Sequence, residues 1–427
     1  MRIHLAYGRA GLDVEIPDRN LAGILSMRGV PVVADAGLEV RRSLAHPLGG
    51  TPLRQLAAGK KSACIVVCDV TRPVPNTILV PALLNVLAEA GIPRERTSIL
   101  VATGLHRPSS AGELRQMLGE DILRSYRVVN HRARVREEQQ DLGRTPAGVP
   151  VFIDREYCGA DLKITTGFIE PHLMAGFSGG RKLIAPGCAG EETIKALHSP
   201  RFIEDPQCRE GIIDGNPLHE ELLAIARLAG HDFILNVSLD AERNITGVFA
   251  GDPLVAHAAG VAHVRGAVSA FVREPVDIVV TTSAGYPLDL TFYQAVKGIT
   301  AAAPILKNGG MLVLASACTE GLGSEEFSAL ATGYSTPEAF LASLRNQPVR
   351  IDQWQLEECA RVAREADVVL VADGVPEAQR RRMFIRSVDS VEAAVAEGLA
   401  RFGRQASVAV IPKGPYTLVG IEPRLPG

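Results

Sequence analysis

The sequence predicts an α/β protein of two domains with largely parallel sheets and an active site in the cleft between them. Three observations lead there. Short apolar runs, bounded by turn residues, recur at residues 63–68, 98–102, 127–130, 162–165, 232–237, 276–281, 311–315, 367–371 and 407–411. Amphipathic segments such as 77–90, 216–228 and 355–365 lie between many of them. Strands alternating with helical patterns indicate α/β units with a mostly parallel sheet. A chain of 427 residues is long enough for more than one domain. An alanine-rich segment, 254–272, reads as a helix, and Arg273-Glu-Pro275 follows it before the pattern restarts. The expected division is therefore 1–272, an N-terminal α/β domain carrying the chemistry, and 273–427, a C-terminal α/β domain closing the cleft.

The bulk composition narrows the function classes. Hydrophobic residues make up 46% and charged residues 22%, ordinary for a globular protein with a large core. The formal net charge is -3, and basic residues are scattered among acidic ones, so no nucleic-acid footprint is expected. The seven cysteines are widely spread without a C-x-x-C pair, which argues for reduced thiols rather than a disulfide framework or structural zinc. No apolar run reaches the roughly 18 residues of a membrane span, and no signal-peptide core follows Met1. A cytoplasmic protein with no membrane partner is expected.

The ends of the strands carry the informative residues. In open α/β sheets ligands bind beyond the carboxyl ends of strands. The run at 63–68 is followed by Asp69-Val-Thr-Arg72-Pro, and the run at 98–102 by Thr103-Gly-Leu-His106-Arg-Pro108. After 162–165 comes a glycine-rich stretch, Gly167 to Gly187, holding Pro171-His172 and Ser178-Gly179-Gly180-Arg181-Lys182. The run at 276–281 leads into Thr282-Ser-Ala-Gly-Tyr-Pro-Leu-Asp289. Four strands thus end in stiff polar turns, the pattern of a site assembled from several loops.

Each of these residue types suits a definite chemistry and has a plainer alternative. His106 and His172, on separate loops, suit an acid and a base acting on opposite faces of one substrate, since imidazole exchanges protons near neutrality; lone histidines are also commonly structural. Arg72 offers a planar fork for a carboxylate or phosphate, with Asp69 fixing a ligand hydroxyl, or the two form a local ion pair. Ser178-Gly-Gly-Arg-Lys182 invites comparison with a phosphate-binding loop, but Leu183 stands where Ser or Thr is required, so the match fails. Lys182 can instead anchor a cofactor covalently. His198 follows a short helical segment before Pro200, and suits nickel, copper or zinc if a cofactor or partner histidines bring further donors. In Tyr293-Gln294-Ala-Val-Lys297, Gln294 and Lys297 share one helical face.

At these residues the sequence resembles the lactate racemase family. The agreement comprises Asp69-x-x-Arg72-Pro, Thr103-Gly-x-His106, Pro171-His172 with Ser-Gly-Gly-Arg-Lys182 beyond it, His198, and Tyr293-Gln294-x-x-Lys297. The combined spacing covers most of the chain and is far more specific than any one motif. The resemblance implies racemisation or epimerisation at C2 of a 2-hydroxy acid, by reversible hydride transfer through a 2-oxo acid. It implies a nickel-pincer nucleotide, a pyridinium mononucleotide bearing thioamide and thiocarboxylate groups. That cofactor is attached through Lys182, and its nickel is held by His198. His106 and His172 become the paired acid/base groups, and Ser178, Gly179 and Gly180 join Asp69, Arg72, Tyr293, Gln294 and Lys297 around the cofactor. Arg72, Gln294 and Lys297, with the sole tryptophan Trp354, are the implied substrate contacts. Cofactor-maturation enzymes are the implied partners, together with a small 2-hydroxy acid.

The physical logic agrees. Removing the α-hydrogen of a 2-hydroxy carboxylate as a proton would place charge beside an existing carboxylate, whereas removal with its electron pair avoids that dianion and requires an electron-accepting cofactor. Leu173, Met174 and Phe177 beside His172 suggest partly apolar walls for a small substrate. Two other classes stay open: a zinc hydrolase using His106, His172 and His198 as ligands, and a non-catalytic protein that binds a nucleotide or hydroxy acid.

Overall fold

The computed structural model describes residues 1–345 and 347–422. In chain order the strands of its two main sheets are β1 (Leu21–Ile24), β2 (Ala63–Cys68), β3 (Thr97–Ala102), β4 (Arg127–Asn130), β5 (Leu162–Phe168), β6 (Phe233–Leu239), β7 (Ile245–Gly251), β8 (Val276–Thr282), β9 (Leu306–Ala315), β10 (Asp367–Val371), β11 (Arg386–Ser387) and β12 (Val408–Ile411). The chain divides into two compact units. The first comprises Gly29–His198 and Gln207–Ala267; the second comprises Met1–Arg28, Ser199–Pro206 and the chain from Val268 onward.

The first unit holds a six-stranded sheet in the order β7-β6-β5-β2-β3-β4, parallel except for β7. Strands covered on both faces read as continuous apolar runs rather than alternations. Ala63-Cys-Ile-Val-Val67 is buried at every position, which is why these strands stand out in the sequence. The helix Asn76–Glu89 buries Leu79, Val80, Leu83, Leu84 and Leu87 in the same core cluster as Ile65, Val67 and Ile99. A fully buried leucine contributes about 1.5–3 kcal/mol, so Leu83→Ala would cost about 2–5 kcal/mol once the cavity is counted.

The second unit holds a six-stranded, wholly parallel sheet in the order β11-β10-β9-β8-β12-β1. Its edge strand β1 pairs with β12, Leu21 opposite Val408. The first 28 residues therefore belong with the C-terminal sheet, where the sequence reading had placed them in an N-terminal domain 1–272. The strand is short, half-buried and interrupted by Gly23, so it leaves no apolar run to read. The first unit's last segment ends at Ala267, and the second unit resumes at Val268.

The helix expected over 254–272 spans Pro253–Val268 instead, and Ser269–Val272 forms a strand paired in parallel with Leu418–Ile421. That ladder satisfies backbone groups that would otherwise have continued the helix. All seven cysteines are free thiols. Among the described residues no helix is long and apolar enough to cross a membrane.

Candidate active site

Strands β5, β2 and β3 are neighbours in the first unit's sheet, and the loops leaving their carboxyl ends carry the candidate residues. After β2 the backbone turns back on itself, with the Arg72 amide donating to the Asp69 carbonyl at 3.1 Å. The Thr71 hydroxyl and amide donate to Asp69 Oδ1 at 2.6 and 3.1 Å. After β3, the Thr103 hydroxyl donates to the His131 carbonyl at 2.6 Å and the Gly104 amide to the Gly187 carbonyl at 2.9 Å. Gly104 has φ +54°, a left-handed conformation that costs glycine little.

This stiff turn sets His106 so that its Nδ1 donates to Asp69 Oδ2 at 2.7 Å. Asp69 is buried, 5% exposed, whereas the His106 side chain is 43% exposed. Burial raises the Asp69 pKa, but the His106 charge and hydrogen bond, the Thr71 hydroxyl and Arg72 outweigh it and hold the carboxyl below its ordinary value. With Nδ1 carrying the proton, Nε2 presents the lone pair, which is the state a general base needs.

The loop after β5 forms a two-residue ladder, Pro171–His172 against Gly176–Phe177. Ser178 ties its base: the hydroxyl donates to the Phe168 carbonyl at 2.9 Å and accepts from the Glu170 amide at 3.0 Å, and the Ser178 amide donates to the Glu170 carbonyl at 2.9 Å. Nδ1 of His172 accepts from the amides of Met174 and Ala175, each at 3.2 Å, and Nε2 lies 2.7 Å from Lys182 Nζ. Gly179 and Gly180 have φ +81° and +51°. The Gly180 amide donates to Asn236 Oδ1 at 2.9 Å, and a Cβ at Gly179 would lie 2.7 Å from that oxygen. These glycines let the loop close onto Asn236 and carry Lys182 on the turn Gly180–Leu183.

Sequence reasoning missed four residues here. Glu170 forms an ion pair with Arg72, and Asp69 is hydrogen-bonded to His106, where the sequence had offered a local Asp69–Arg72 pair as one of two readings. Arg181, 2% exposed, donates to the Ala175 carbonyl at 2.9 Å and lies 2.8 Å from His257 Nε2; burial pushes its pKa down to about 9. With Asn236 and His257 it braces the loop from inside. Arg181 stands in the motif itself, but no signal marked it as core rather than surface. Leu173, Met174 and Phe177 are buried, Phe177 completely, so they pack the loop instead of forming open walls.

His198 caps the C-terminus of the helix Glu191–Leu197, and Pro200 opens the next helix at its first turn. Its Nδ1 donates to the Ile194 carbonyl at 2.8 Å, leaving Nε2 as the acceptor nitrogen. Burial pushes its pKa down to about 4, so the ring is neutral near pH 7 and chemically fit to ligate a borderline metal. Among the described residues no group of three His, Cys, Asp or Glu is placed to hold a metal ion. The three-histidine zinc site is therefore not formed among the described residues, and both ring nitrogens of His172 are engaged within its own loop.

In the second unit, the helix Phe292–Ala302 starts at Thr291, whose hydroxyl caps the Gln294 amide. Lys297 Nζ donates to Gln294 Oε1 at 2.5 Å. Trp354, on the helix Gln353–Glu365, is 5% exposed, and its indole N–H donates to the Tyr293 hydroxyl at 3.0 Å. Tyr293 meets Phe327 edge-on at 5.2 Å. Tyr293 and Trp354 thus brace each other. Asp289, in the turn after β8, accepts from the amides of Gly8 and Ala317 and serves the fold.

Residues 7–211 match the lactate racemase N-terminal domain and residues 272–419 the lactate racemase C-terminal domain. A lactate racemase of Lactiplantibacillus plantarum is 38% identical over 96% of this chain and 98% of its own length. One from Thermoanaerobacterium thermosaccharolyticum is 34% identical over 98% and 99%. The lactate racemase apoprotein structure from the latter organism superposes with a TM-score of 0.92 at 33% identity, covering 98% of this chain and all of that one. A Thermotoga maritima protein at 19% identity, TM-score 0.71, shares the fold.

Proposed function

The chain belongs to the lactate racemase family, and we propose that it interconverts the enantiomers of lactate or a closely related 2-hydroxy acid. It is an isomerase, a racemase. The observation that carries the acid–base part of this reading is the bond from His106 Nδ1 to the buried Asp69 carboxylate. That bond fixes the tautomer with a lone pair on an exposed ring.

The cofactor belongs to the same proposal: a nickel-pincer nucleotide joined to Lys182. The donor set fits it. Lys182 supplies a primary amine on a glycine-bounded turn, and His198 supplies a neutral imidazole with Nε2 as acceptor. One histidine alone does not complete a metal's coordination, which suits a cofactor bringing its own donors. When bound, such a group supplies the electron-accepting centre that takes the C2 hydrogen with its bonding pair.

The chain's residues do the rest. His106 Nε2 takes the proton of the substrate hydroxyl from one face while Asp69 steadies the ring that becomes cationic. His172 takes the corresponding role on the opposite face, so that the hydroxyl proton can leave and return from either side. Arg72, held by Glu170, places a guanidinium near Asp69 for an anionic group. Lys297 and Gln294 together offer a cation and an amide, a pair suited to a carboxylate.

The test is to produce the chain together with cofactor-making enzymes, measure metal and intact mass, and assay chiral 2-hydroxy acids by chiral chromatography. About one nickel per chain, an added mass and racemisation of lactate are the expected results. Zinc without an added mass and without racemisation would overturn the proposal.

A further inference from the structure

The helix Asn76–Glu89 is apolar on two sides. One stripe, Leu79, Val80, Leu83, Leu84 and Leu87, is buried in the core of the first unit. A second stripe, Ile78, Pro81, Ala82 and Val86, follows the same helical spacing on another face, and none of it is buried; Ile78 is 36% exposed. A helix that is apolar all round is expected to be covered all round, yet this second stripe lines a cleft of about 590 Å³. The helix Ala36–Ala45 adds Leu44 to the lining, and Pro52 leads from it into the short helix Leu53–Ala57. Five lining positions, Gly37, Ala45, Pro52, Pro81 and Ala82, carry short side chains, which leaves space where longer ones would interdigitate.

The charged lining residues are two cations and one anion, Arg41, Arg54 and Glu89. Arg54 and Glu89 stand 3.9 Å apart, so their charges offset one another. Arg41 remains, and among the described residues no hydrogen bond or ion pair engages its guanidinium. The nearby carboxylates are engaged elsewhere: Asp35 caps the helix by accepting from the Leu38 amide at 2.8 Å, and Glu39 pairs with Arg42 at 3.6 Å. The Arg41 guanidinium lies against Gly37, with Nη1 3.4 Å from where a Cβ would stand, so the glycine leaves it that place.

We infer that this cleft is a binding site for an apolar organic monoanion, its hydrocarbon body on the stripe Ile78, Pro81, Ala82 and Val86 and its carboxylate or sulfonate head at Arg41. The volume lies within the range of about 300–1,000 Å³ found for small-molecule sites, which are mostly apolar with a few polar groups that fix orientation. A guanidinium matches the paired oxygens of such a head group. Gln55 and Asn85, both exposed, add amide donors and acceptors to the lining. None of these residues belongs to the candidate active site, and the inference does not rest on the function proposed above.

Fluorescence titration of the full chain with 1-anilinonaphthalene-8-sulfonate, and with N-phenyl-1-naphthylamine, the same rings without the sulfonate, tests this. The sulfonate should saturate a site at one per chain. Arg41→Glu, a change at an exposed position, should weaken the sulfonate at least about fivefold, the size expected for reversing one exposed cation, and leave the neutral amine within about twofold. Raising the salt concentration should weaken the sulfonate alone. Ala82→Phe, which fills the cleft, should remove that site for both probes, with circular dichroism reporting the fold. The inference is overturned by an absence of sulfonate binding, by binding indifferent to Arg41→Glu, or by equal losses of the two probes in that variant. Sulfonate binding that survives in a folded Ala82→Phe chain overturns it too. If Ala82→Phe does not fold, the Arg41→Glu comparison of the two probes decides. A parent chain that sediments as a dimer and becomes a monomer in Arg41→Glu, with no sulfonate bound, would show that a second copy covers the cleft, which also overturns the inference.

Discussion

His106 and Asp69 are joined by a 2.7 Å hydrogen bond between an exposed imidazole and a buried carboxylate. The carboxylate is further held by two bonds from Thr71, so the ring's orientation is set from below while its far nitrogen faces outward. Replacing Asp69 by Asn keeps the size but removes the charge, and it offers an N–H that can turn the ring to the other tautomer. Asp69→Asn should therefore lower kcat for racemisation about 10²–10⁴-fold while changing KM far less. Steady-state kinetics in both directions checks this, and a kcat near that of the parent would remove His106 from the base role.

Lys182→Ala should abolish any covalent adduct when the chain is produced with cofactor-making enzymes, with the fold retained. Intact-mass measurement reads the adduct and circular dichroism the fold. An adduct that survives the substitution means the attachment lies elsewhere.

The central strands of the first unit's sheet were legible because they are buried and appear as unbroken apolar runs, as in Ala63–Cys68, whereas the antiparallel strand Ile245–Gly251 was not among the expected ones. The edge strand Leu21–Ile24 was not legible either, since half-burial and a glycine erase both the run and the alternation. The same limit applied to the site. Asp69, Arg72, His106, His172 and Lys182 could be picked out by their positions after strands and prolines, but their pairing could not. Arg72 meets Glu170 from 98 positions away, a contact decided by the adjacency of β2 and β5 rather than by local pattern. Arg181 stands beside Lys182 in the sequence with nothing local to mark it as core, yet its guanidinium is buried against backbone carbonyls and His257.

Gly179→Ala tests whether the loop's closeness to Asn236 matters beyond backbone conformation. At φ +81° any side chain is strained, and here its Cβ would also meet Asn236 Oδ1 at 2.7 Å and Ile169 Cγ1 at 3.0 Å. Gly148, at φ +88° with open space around it, carries the strain without the crowding. Both alanine variants should lose about 1–3 kcal/mol from backbone strain, with Gly179→Ala the worse of the two and alone in reducing adduct formation at Lys182. Urea unfolding and intact mass separate the outcomes; equal losses with normal adduct formation would show that the crowding is relieved elsewhere.

His231 should make the first unit sensitive to acid. Its Nε2 is bonded to the Thr165 hydroxyl at 2.9 Å, and burial pushes its pKa down to about 3. In the unfolded chain the ring titrates near about 6.5. Below that pH the unfolded state binds a proton that the folded state refuses, so stability falls as pH drops from about 6.5 toward 3. The slope from this ring is at most about 1.4 kcal/mol per pH unit. His231→Gln keeps a partner for Thr165 but does not titrate. Between pH 7 and 4.5 the parent should therefore lose up to about 2.5 kcal/mol more than the variant, measured by urea unfolding at both pH values. If the two proteins lose stability in parallel, His231 is already protonated in the folded state and its burial is not what sets the acid limit.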